Sequence, residues 1–92
     1  MSKNNEKSEM VYRKELGARL KYLRTDKGLT QADVVAATNV KQPSIVRYES
    51  GTRTPDAYFI MKYAEMLECN LTWLISGEGQ PYPIKKPQEN AS

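Results

Sequence analysis

The chain has 92 residues, 39% hydrophobic and 27% charged, with a net charge of +3, which predicts one small domain and excludes wholesale disorder. One cysteine and no histidine exclude an internal disulfide, histidine-based catalysis and imidazole metal sites, so we expect no enzymatic activity, cofactor or metal. The lack of a long apolar run and the polar N-terminus exclude a transmembrane helix and a secretory signal, so we expect a cytoplasmic protein with no membrane partner.

The chain divides into three segments. Residues 1–8 are polar and carry no periodic apolar signal, so we expect a flexible N-terminal tail. Residues 9–79 have helical periodicity and no alternating apolar stretch long enough for a strand, which predicts an all-α domain. Residues 80–92 contain three prolines, so we expect an extended, Pro-rich C-terminal tail and no second domain after it.

The first predicted helix begins at about Ser8 or Glu9 and ends at Lys27. Gly28 follows it, at a position where glycine adopts the left-handed backbone that commonly ends a helix. One side of this helix is apolar and should face the core. The stripe consists of Tyr12, Leu16, Leu20 and Leu23.

The second predicted helix begins with a capping signal and ends with a turn signal. Thr30 is a good N-cap, and Asp33 lies three residues further on, as in a capping box. The helix ends near Thr38, and Asn39 tolerates the left-handed conformation that a tight turn needs. The turn continues to Lys41, so the next helix follows almost at once.

Three shorter helices complete the predicted domain. The third has a proline in its first turn, where a missing N–H is harmless, and a glycine after its end. The fourth opens on a threonine cap, a proline and an acidic residue, and the fifth is short. The predicted limits are Gln42 to Ser50, Thr54-Pro55-Asp56 to about Leu67, and Asn70 or Thr72 to Gly77.

Two short helices joined by a tight turn are typical of a helix-turn-helix. The third helix would present Gln42, Ser44 and Arg47 on its outer side. Glutamine can pair with adenine, arginine with guanine and serine with either, so this face can read base edges in double-stranded DNA. Thr30 and Gln31 at the start of the second helix suit contacts with DNA phosphates.

Residues 13–79 resemble the lambda-type phage repressor and Cro family of helix-turn-helix proteins (Xre-like regulators). Five pieces in register carry the resemblance: Arg24, Gln31, Gln42-Pro43-Ser44-Ile45, Glu49-Ser50-Gly51 and Trp73-Leu74-Ile75. It implies a compact five-helix DNA-binding domain in which Gln31 contacts a phosphate and the third helix enters the major groove. It further implies that Arg24 pairs with Glu49 as a structural brace and that Arg53 meets the DNA backbone.

The chain also departs from the family pattern. Val35 stands where a smaller residue is usual, so we expect slightly more open packing of helices 2 and 3. Lys41 replaces the usual Ser or Thr cap, and we interpret it as a phosphate contact. Asn39 replaces the turn glycine, which is tolerable, and Glu68 replaces a glycine after helix 4 without a reason visible in the sequence.

The expected function is that of a phage-type (Cro/CI-like) repressor which binds a pseudo-palindromic operator as a homodimer. The net charge of +3 hides a polarised chain, since residues 12–54 carry net +5 and residues 55–79 carry net −3. The basic segment holds the expected DNA face. The resemblance places the dimer surface toward the C-terminal end, with five candidate residues: Leu71, Leu74, Ile75, Tyr82 and Ile84.

Other functions stay open at this point. The same fold could serve an antitoxin, which would also bind a toxin, or a restriction-modification controller. A helical interaction module that does not bind DNA is a further alternative. Since no self-cleaving domain is expected, release from DNA would depend on another agent, such as a protein antirepressor. We expect the protein to act in the cytoplasm of a bacterial or phage-infected cell, in association with the nucleoid.

Overall fold

A computed structural model describes residues 7–84, which form five α-helices and, within that range, no β-strand. The helices are α1 (Glu9–Asp26), α2 (Gln31–Thr38), α3 (Gln42–Ser50), α4 (Ala57–Leu67) and α5 (Leu71–Ser76). The predicted all-α, five-helix architecture is therefore confirmed. The tails predicted for residues 1–8 and 80–92 lie largely outside the described residues. None of the five helices is long and apolar enough to cross a membrane.

The helix ends follow local signals. The Thr30 side chain accepts a hydrogen bond from the Asp33 N–H at 3.1 Å, and the Asp33 carboxylate accepts one from the Thr30 N–H at 2.7 Å. This capping box supplies partners for two N–H groups that the helix itself leaves unpaired. Asn39 takes the left-handed turn position with φ of 62°. Lys41 is the N-cap residue of α3, and its side chain forms no capping hydrogen bond. These predicted ends of α2 and α3 are confirmed.

The start and end of α4 differ from the sequence-based expectation. Asp56, rather than Thr54, is the N-cap, and its carboxylate accepts a hydrogen bond from the Phe59 N–H at 2.8 Å. Pro55 precedes the helix and is buried, so it serves packing rather than helix initiation. At the other end Glu68 has φ of 54°, a left-handed conformation that costs a residue with a Cβ atom roughly 1–2 kcal/mol. The turn into α5 requires this conformation, which explains why glycine is the commoner residue there.

The core lies among all five helices and contains eleven buried apolar or aromatic side chains. These are Leu16, Leu20, Leu23, Val34, Ile45, Tyr48, Phe59, Ile60, Tyr63, Leu67 and Leu74. Three residues of the stripe predicted on the first helix are among them, and Tyr12 packs against the core from its edge. Tyr63 donates a hydrogen bond to the Leu20 carbonyl at 2.6 Å, and burial raises the pKa of this phenol well above its usual range.

Gly17 lets α1 approach the C-terminal end of α3. A Cβ atom at this position would lie 2.5 Å from the Tyr48 carbonyl oxygen and 2.6 Å from that of Glu49. Such distances are far below van der Waals contact, so any side chain here would push the two helices apart. The absence of a side chain at Gly17 therefore helps to determine where α3 sits on the domain.

Residues 80–82 fold back against the domain. Asn70 holds them by two 2.8 Å hydrogen bonds, one from its backbone N–H to the Pro81 carbonyl and one from its side chain to the Gln80 carbonyl. The Tyr82 hydroxyl donates to the Asp26 carboxylate at 2.6 Å, and the Lys27 ammonium lies 4.9 Å from the centre of the Tyr82 ring. The packed part of the chain thus continues beyond residue 79, where the sequence pattern placed its end.

Candidate nucleic-acid interface

The outer face of α3 is the candidate surface for reading DNA. A three-residue turn joins α2 to α3. The Ile45 and Tyr48 side chains of α3 are buried in the core. These two anchors leave the opposite side of the helix in solvent. The exposed residues of α3 are Gln42, Pro43, Val46, Arg47 and Ser50.

The structure brings together two of the three residues expected to read bases. Gln42 and Arg47 both lie on the exposed face of α3, whereas Ser44 is half-buried at its margin next to Ile45. Sequence reasoning overlooked Pro43 and Val46, which are exposed on the same face. The helical periodicity of α3 is the signal that could have found both, since Pro43 and Val46 fall on the same side of the helix as Gln42 and Arg47.

A chain of side-chain hydrogen bonds holds Gln42. The Gln42 amide N–H donates to the side-chain oxygen of Gln31 at 3.1 Å, and the Gln31 amide N–H donates to a Glu49 carboxylate oxygen at 3.1 Å. This arrangement turns the amide nitrogen of Gln42 toward α2. Its carbonyl oxygen and second N–H remain available, and they are the two groups with which glutamine pairs with adenine.

The far end of this chain is a nearly buried ion pair. Arg24 contacts Glu49 through two hydrogen bonds of 2.6 and 3.0 Å, and the side chains of the pair are 11% and 7% exposed. The hydrogen bond to Glu49 is the main cause that raises the pKa of Arg24, and desolvation opposes it. Arg24 also donates to the Leu29 carbonyl at 2.9 Å. Arg24 and Glu49, which the resemblance paired, therefore join the end of α1, the start of α2 and the end of α3.

The start of α2 offers fewer groups to a phosphate than its position suggests. The capping box occupies the Thr30 N–H and the acceptor side of the Thr30 hydroxyl, so the hydroxyl proton is the group that Thr30 can still donate. The hydrogen bond that the Thr30 N–H donates to the Asp33 carboxylate lowers the pKa of Asp33, which keeps a negative charge beside this helix end. Gln31 retains one amide N–H after its bond to Glu49.

Three basic side chains around α3 are available to an external anion. Lys41, Arg47 and Arg53 are exposed, and within residues 7–84 none of them forms an ion pair with a carboxylate. By contrast, Arg13 and Arg24 are engaged with Glu9 and Glu49. The three cations expected to meet DNA are thus left to solvent on the side of the domain that bears α3 and the loop after it.

The residues expected at a dimer surface separate into different environments. Leu74 is 0% exposed, so its assignment to that surface is wrong, because α5 turns this side chain into the core. Tyr82 packs against the end of α1 of its own chain and is half-buried there, so its place at a dimer surface stays a prediction. Leu71 and Ile75 are 45% and 43% exposed on the other side of α5, and Ile84 is 83% exposed.

An apolar groove of roughly 420 Å³ lies beside the exposed side of α5. Nine residues from α1, α4, α5 and the loop before α4 line it: Tyr12, Leu16, Thr54, Pro55, Ala57, Ile60, Met61, Leu71 and Ile75. Met61 is 46% exposed at its rim. The groove involves no residue of α2 or α3, so it forms a second surface distinct from the candidate DNA face.

The fold and this interface together define a lambda-repressor-like, helix-turn-helix DNA-binding domain. The helix-turn-helix family model (HTH_3) matches residues 20–74, which is more than half of the chain. The protein therefore belongs to this family, and the fold and the family suggested by the sequence motifs are both confirmed.

Two curated relatives are transcriptional regulators by name. The chain is 28% identical over 75 residues to the HTH-type transcriptional regulator DicA of Escherichia coli (strain K12), a match that covers 78% of this chain and 56% of DicA. It is 32% identical over 59 residues to the uncharacterized HTH-type transcriptional regulator YqaE of Bacillus subtilis (strain 168), covering 64% of this chain and 51% of YqaE. The chain thus spans about half the length of these relatives.

Two solved structures share the fold. The restriction-modification controller protein C.AhdI from Aeromonas hydrophila superimposes with a TM-score of 0.65 at 28% identity, covering 70% of this chain and 97% of C.AhdI. The P22 c2 repressor, solved in complex with a synthetic operator, superimposes with a TM-score of 0.64 at 21% identity, covering 68% of this chain and 96% of the repressor. At 21% identity the second likeness concerns the fold alone.

Proposed function

We propose that the protein is a sequence-specific regulator of transcription, a Cro/CI-like repressor that binds a pseudo-palindromic operator as a homodimer. The observation that carries this proposal is the exposed face of α3, where Gln42 and Arg47 stand on a helix held by the Arg24–Glu49 brace. The proposal includes no catalytic step, cofactor or metal. Such a protein would work in the cytoplasm, on the bacterial nucleoid.

The proposed binding mode follows from the geometry of the two helices. The α3 helix would enter the major groove and place the Gln42 amide and the Arg47 guanidinium against base edges, with Ser44 at the margin. The start of α2 would meet the phosphate backbone through Thr30 and Gln31. Lys41 and Arg53 would add phosphate contacts on either side of α3, where no carboxylate of residues 7–84 forms an ion pair with them.

Selection from a random pool of double-stranded DNA tests the proposal directly. We expect enrichment of an inverted repeat, and we expect the affinity for it to fall steeply as salt increases, since each neutralised phosphate releases counterions. If the protein binds no DNA duplex even at low salt, it is not a DNA-binding regulator. Retention of all duplexes without enrichment would reject sequence-specific reading while leaving DNA binding in place.

Arg47 and Lys41 should respond differently to replacement by alanine. Because Arg47 faces the base edges, R47A should cost about 1–3 kcal/mol on the selected site and relax the preference at one base pair. Because Lys41 would contact a phosphate, K41A should weaken binding to all sequences alike and reduce the salt slope by about one unit. Titrations of both variants on cognate and scrambled duplexes distinguish the two roles. An equal loss on both duplexes for R47A would make Arg47 a phosphate contact as well.

The apolar groove is the proposed homodimer surface. Soluble monomers rarely expose large contiguous apolar patches, and this groove carries the exposed Met61, Leu71 and Ile75 side chains on a face separate from α3. A second copy of the chain is the occupant we propose, because an apolar surface complements itself across a two-fold axis. Two α3 helices held in this way would meet half-sites about 34–36 Å apart.

An acidic side chain in the groove should separate the two copies. We expect I75E to shift the protein to a monomer at micromolar concentration, because association would bury an unpaired carboxylate. The matched control is V11E, since Val11 is 42% exposed on α1 but does not line the groove. Sedimentation equilibrium of both variants and the parent protein provides the measurement. A dimer that survives I75E unchanged would locate the interface elsewhere.

The similarity to C.AhdI supports a second candidate, a restriction-modification controller, since that match has 28% identity and covers 97% of the controller. Both candidates require the same DNA-reading face. The genes beside the coding sequence distinguish them, because a controller should lie next to genes for a restriction endonuclease and a DNA methyltransferase. Neighbouring phage genes would support the repressor instead.

A further inference from the structure

Two apolar side chains occupy the middle of the face that would enter the major groove. Val46 is 44% exposed, and Pro43 is exposed beside it. The other apolar or aromatic residues of α3, Ile45 and Tyr48, are buried in the core. An exposed valine contributes nothing to that core, and its branched side chain is less favourable in a helix than alanine, lysine or glutamate.

The positions of these residues form a compact pattern on the helix. Pro43 and Val46 are three residues apart, so they are neighbours on the same side. Val46 also neighbours Gln42, four residues before it, and Pro43 neighbours Arg47, four residues after it. The apolar pair therefore lies between the amide and the guanidinium that would read bases.

The chemistry of the major groove limits what such a pair can recognise. Base pairs present hydrogen-bond donors and acceptors there, and the C5 methyl of thymine is the apolar group among them. Neither side chain of the pair can form a hydrogen bond, and Pro43 also lacks a backbone N–H. Placed against the amino group of cytosine, they would remove water from a donor without replacing the hydrogen bond, which is unfavourable. Placed against thymine, they would bury the methyl.

The pair is also held firmly enough for a short-range contact. Dispersion contacts between carbon atoms lose much of their energy when a gap of less than one ångström opens. The ring of Pro43 restricts the backbone at the start of α3, and Gln42 beside it is tied to Gln31 and through it to Glu49. Ile45, next to Val46, is 1% exposed in the core. The surrounding backbone is thus anchored on both sides of the apolar pair.

We propose that Val46, together with Pro43, recognises the methyl group of a thymine in each half-site, adjacent to the bases that Gln42 and Arg47 contact. This inference rests on the proposed function, because it requires α3 to lie in the major groove. It adds to that function a determinant of sequence preference which uses no hydrogen bond.

The decisive experiment removes the methyl group and nothing else. Each thymine of the selected site is replaced in turn by deoxyuridine, which keeps every hydrogen-bonding group, and the dissociation constants are measured in competition. We expect one thymine per half-site at which the replacement weakens binding about fourfold, as follows from ~0.8 kcal/mol per buried methyl group. Replacement at the other thymines should have little effect. Selected sites without a fixed thymine, or equal binding of thymine and deoxyuridine at every position, would overturn the proposal.

A double-mutant cycle assigns the effect to Val46. In V46A the sensitivity to deoxyuridine at that thymine should disappear, whereas K41A should bind more weakly but keep the full fourfold ratio. An undiminished ratio in V46A would show that another group reads the methyl and would overturn the assignment. If the random pool yields no preferred sequence at all, the proposed function fails first. If only the methyl contact is wrong, the protein still selects a preferred sequence but binds its thymine and deoxyuridine forms equally well.

Discussion

Replacing Glu49 by alanine is expected to destabilise the domain by about 3–5 kcal/mol, because the change leaves the Arg24 guanidinium without its partner in a largely buried site. The Arg24 side chain is 11% exposed and would keep only its bond to the Leu29 carbonyl. Gln31 would lose its acceptor as well, so the start of α2 should become less ordered. Urea denaturation of E49A and the parent protein measures the effect.

The Lys7–Glu15 ion pair is the matched control. Its N–O distance of 2.6 Å equals that of Arg24–Glu49, but its side chains are 53% and 43% exposed. Pairs in such a position contribute about 0–1 kcal/mol, so E15A should be nearly neutral. Equal effects of E15A and E49A would show that burial is not what makes the brace important. Replacing both partners by apolar residues, as in R24M/E49L, should recover much of the lost stability.

Replacing Gly17 by alanine should destabilise the protein by about 1–3 kcal/mol, although alanine is the better helix former. Helix propensity alone would give a gain of roughly 1 kcal/mol. The added Cβ atom, however, would lie 2.5 and 2.6 Å from two backbone carbonyl oxygens of α3. These oxygens belong to the backbone and cannot rotate away, so α1 and α3 must separate and the core must loosen.

Helix propensity predicts that G17A raises the melting temperature, whereas the Cβ contacts predict that G17A lowers it, so thermal unfolding tests the prediction. The neighbouring exposed residue provides the control, because A18G in the same helix should cost about 1 kcal/mol by propensity alone. We also expect G17A to weaken binding to the selected DNA, since the shift would move α3 relative to α2. A melting temperature above that of the parent protein would refute the tight approach of the two helices.

The ends of most helices were predictable because the signals that set them are local. Thr30 and Asp33 are three residues apart, and Asn39 and Gly28 adopt left-handed conformations that their own chemistry favours. The start of α4 was harder. Threonine, proline and aspartate in succession all suit a helix start, and only the hydrogen bond from the Phe59 N–H to the Asp56 carboxylate shows that Asp56 is the cap.

The candidate site was predicted in its polar part and overlooked in its apolar part. Gln42 and Arg47 lie on one exposed face of α3, and their chemistry pointed to DNA directly. Val46 was missed because an apolar residue in a predicted helix is ordinarily assigned to the core. Its exposure depends on which side of α3 the core occupies, and α1 and α2 together decide that.

The sequence by itself determined the five helices, the helix-turn-helix and the family, since each depends on residues within a few positions of one another. Only the tertiary structure decided which side chains face a partner. Leu71, Leu74 and Ile75 lie within one short helix, yet only Leu74 enters the core, because the rotation of α5 is set by the helices it packs against. Glu49 likewise meets Arg24 and Gln31 across 25 and 18 residues of chain. Such long-range contacts depend on how whole helices pack, and no local pattern in the sequence predicts that packing.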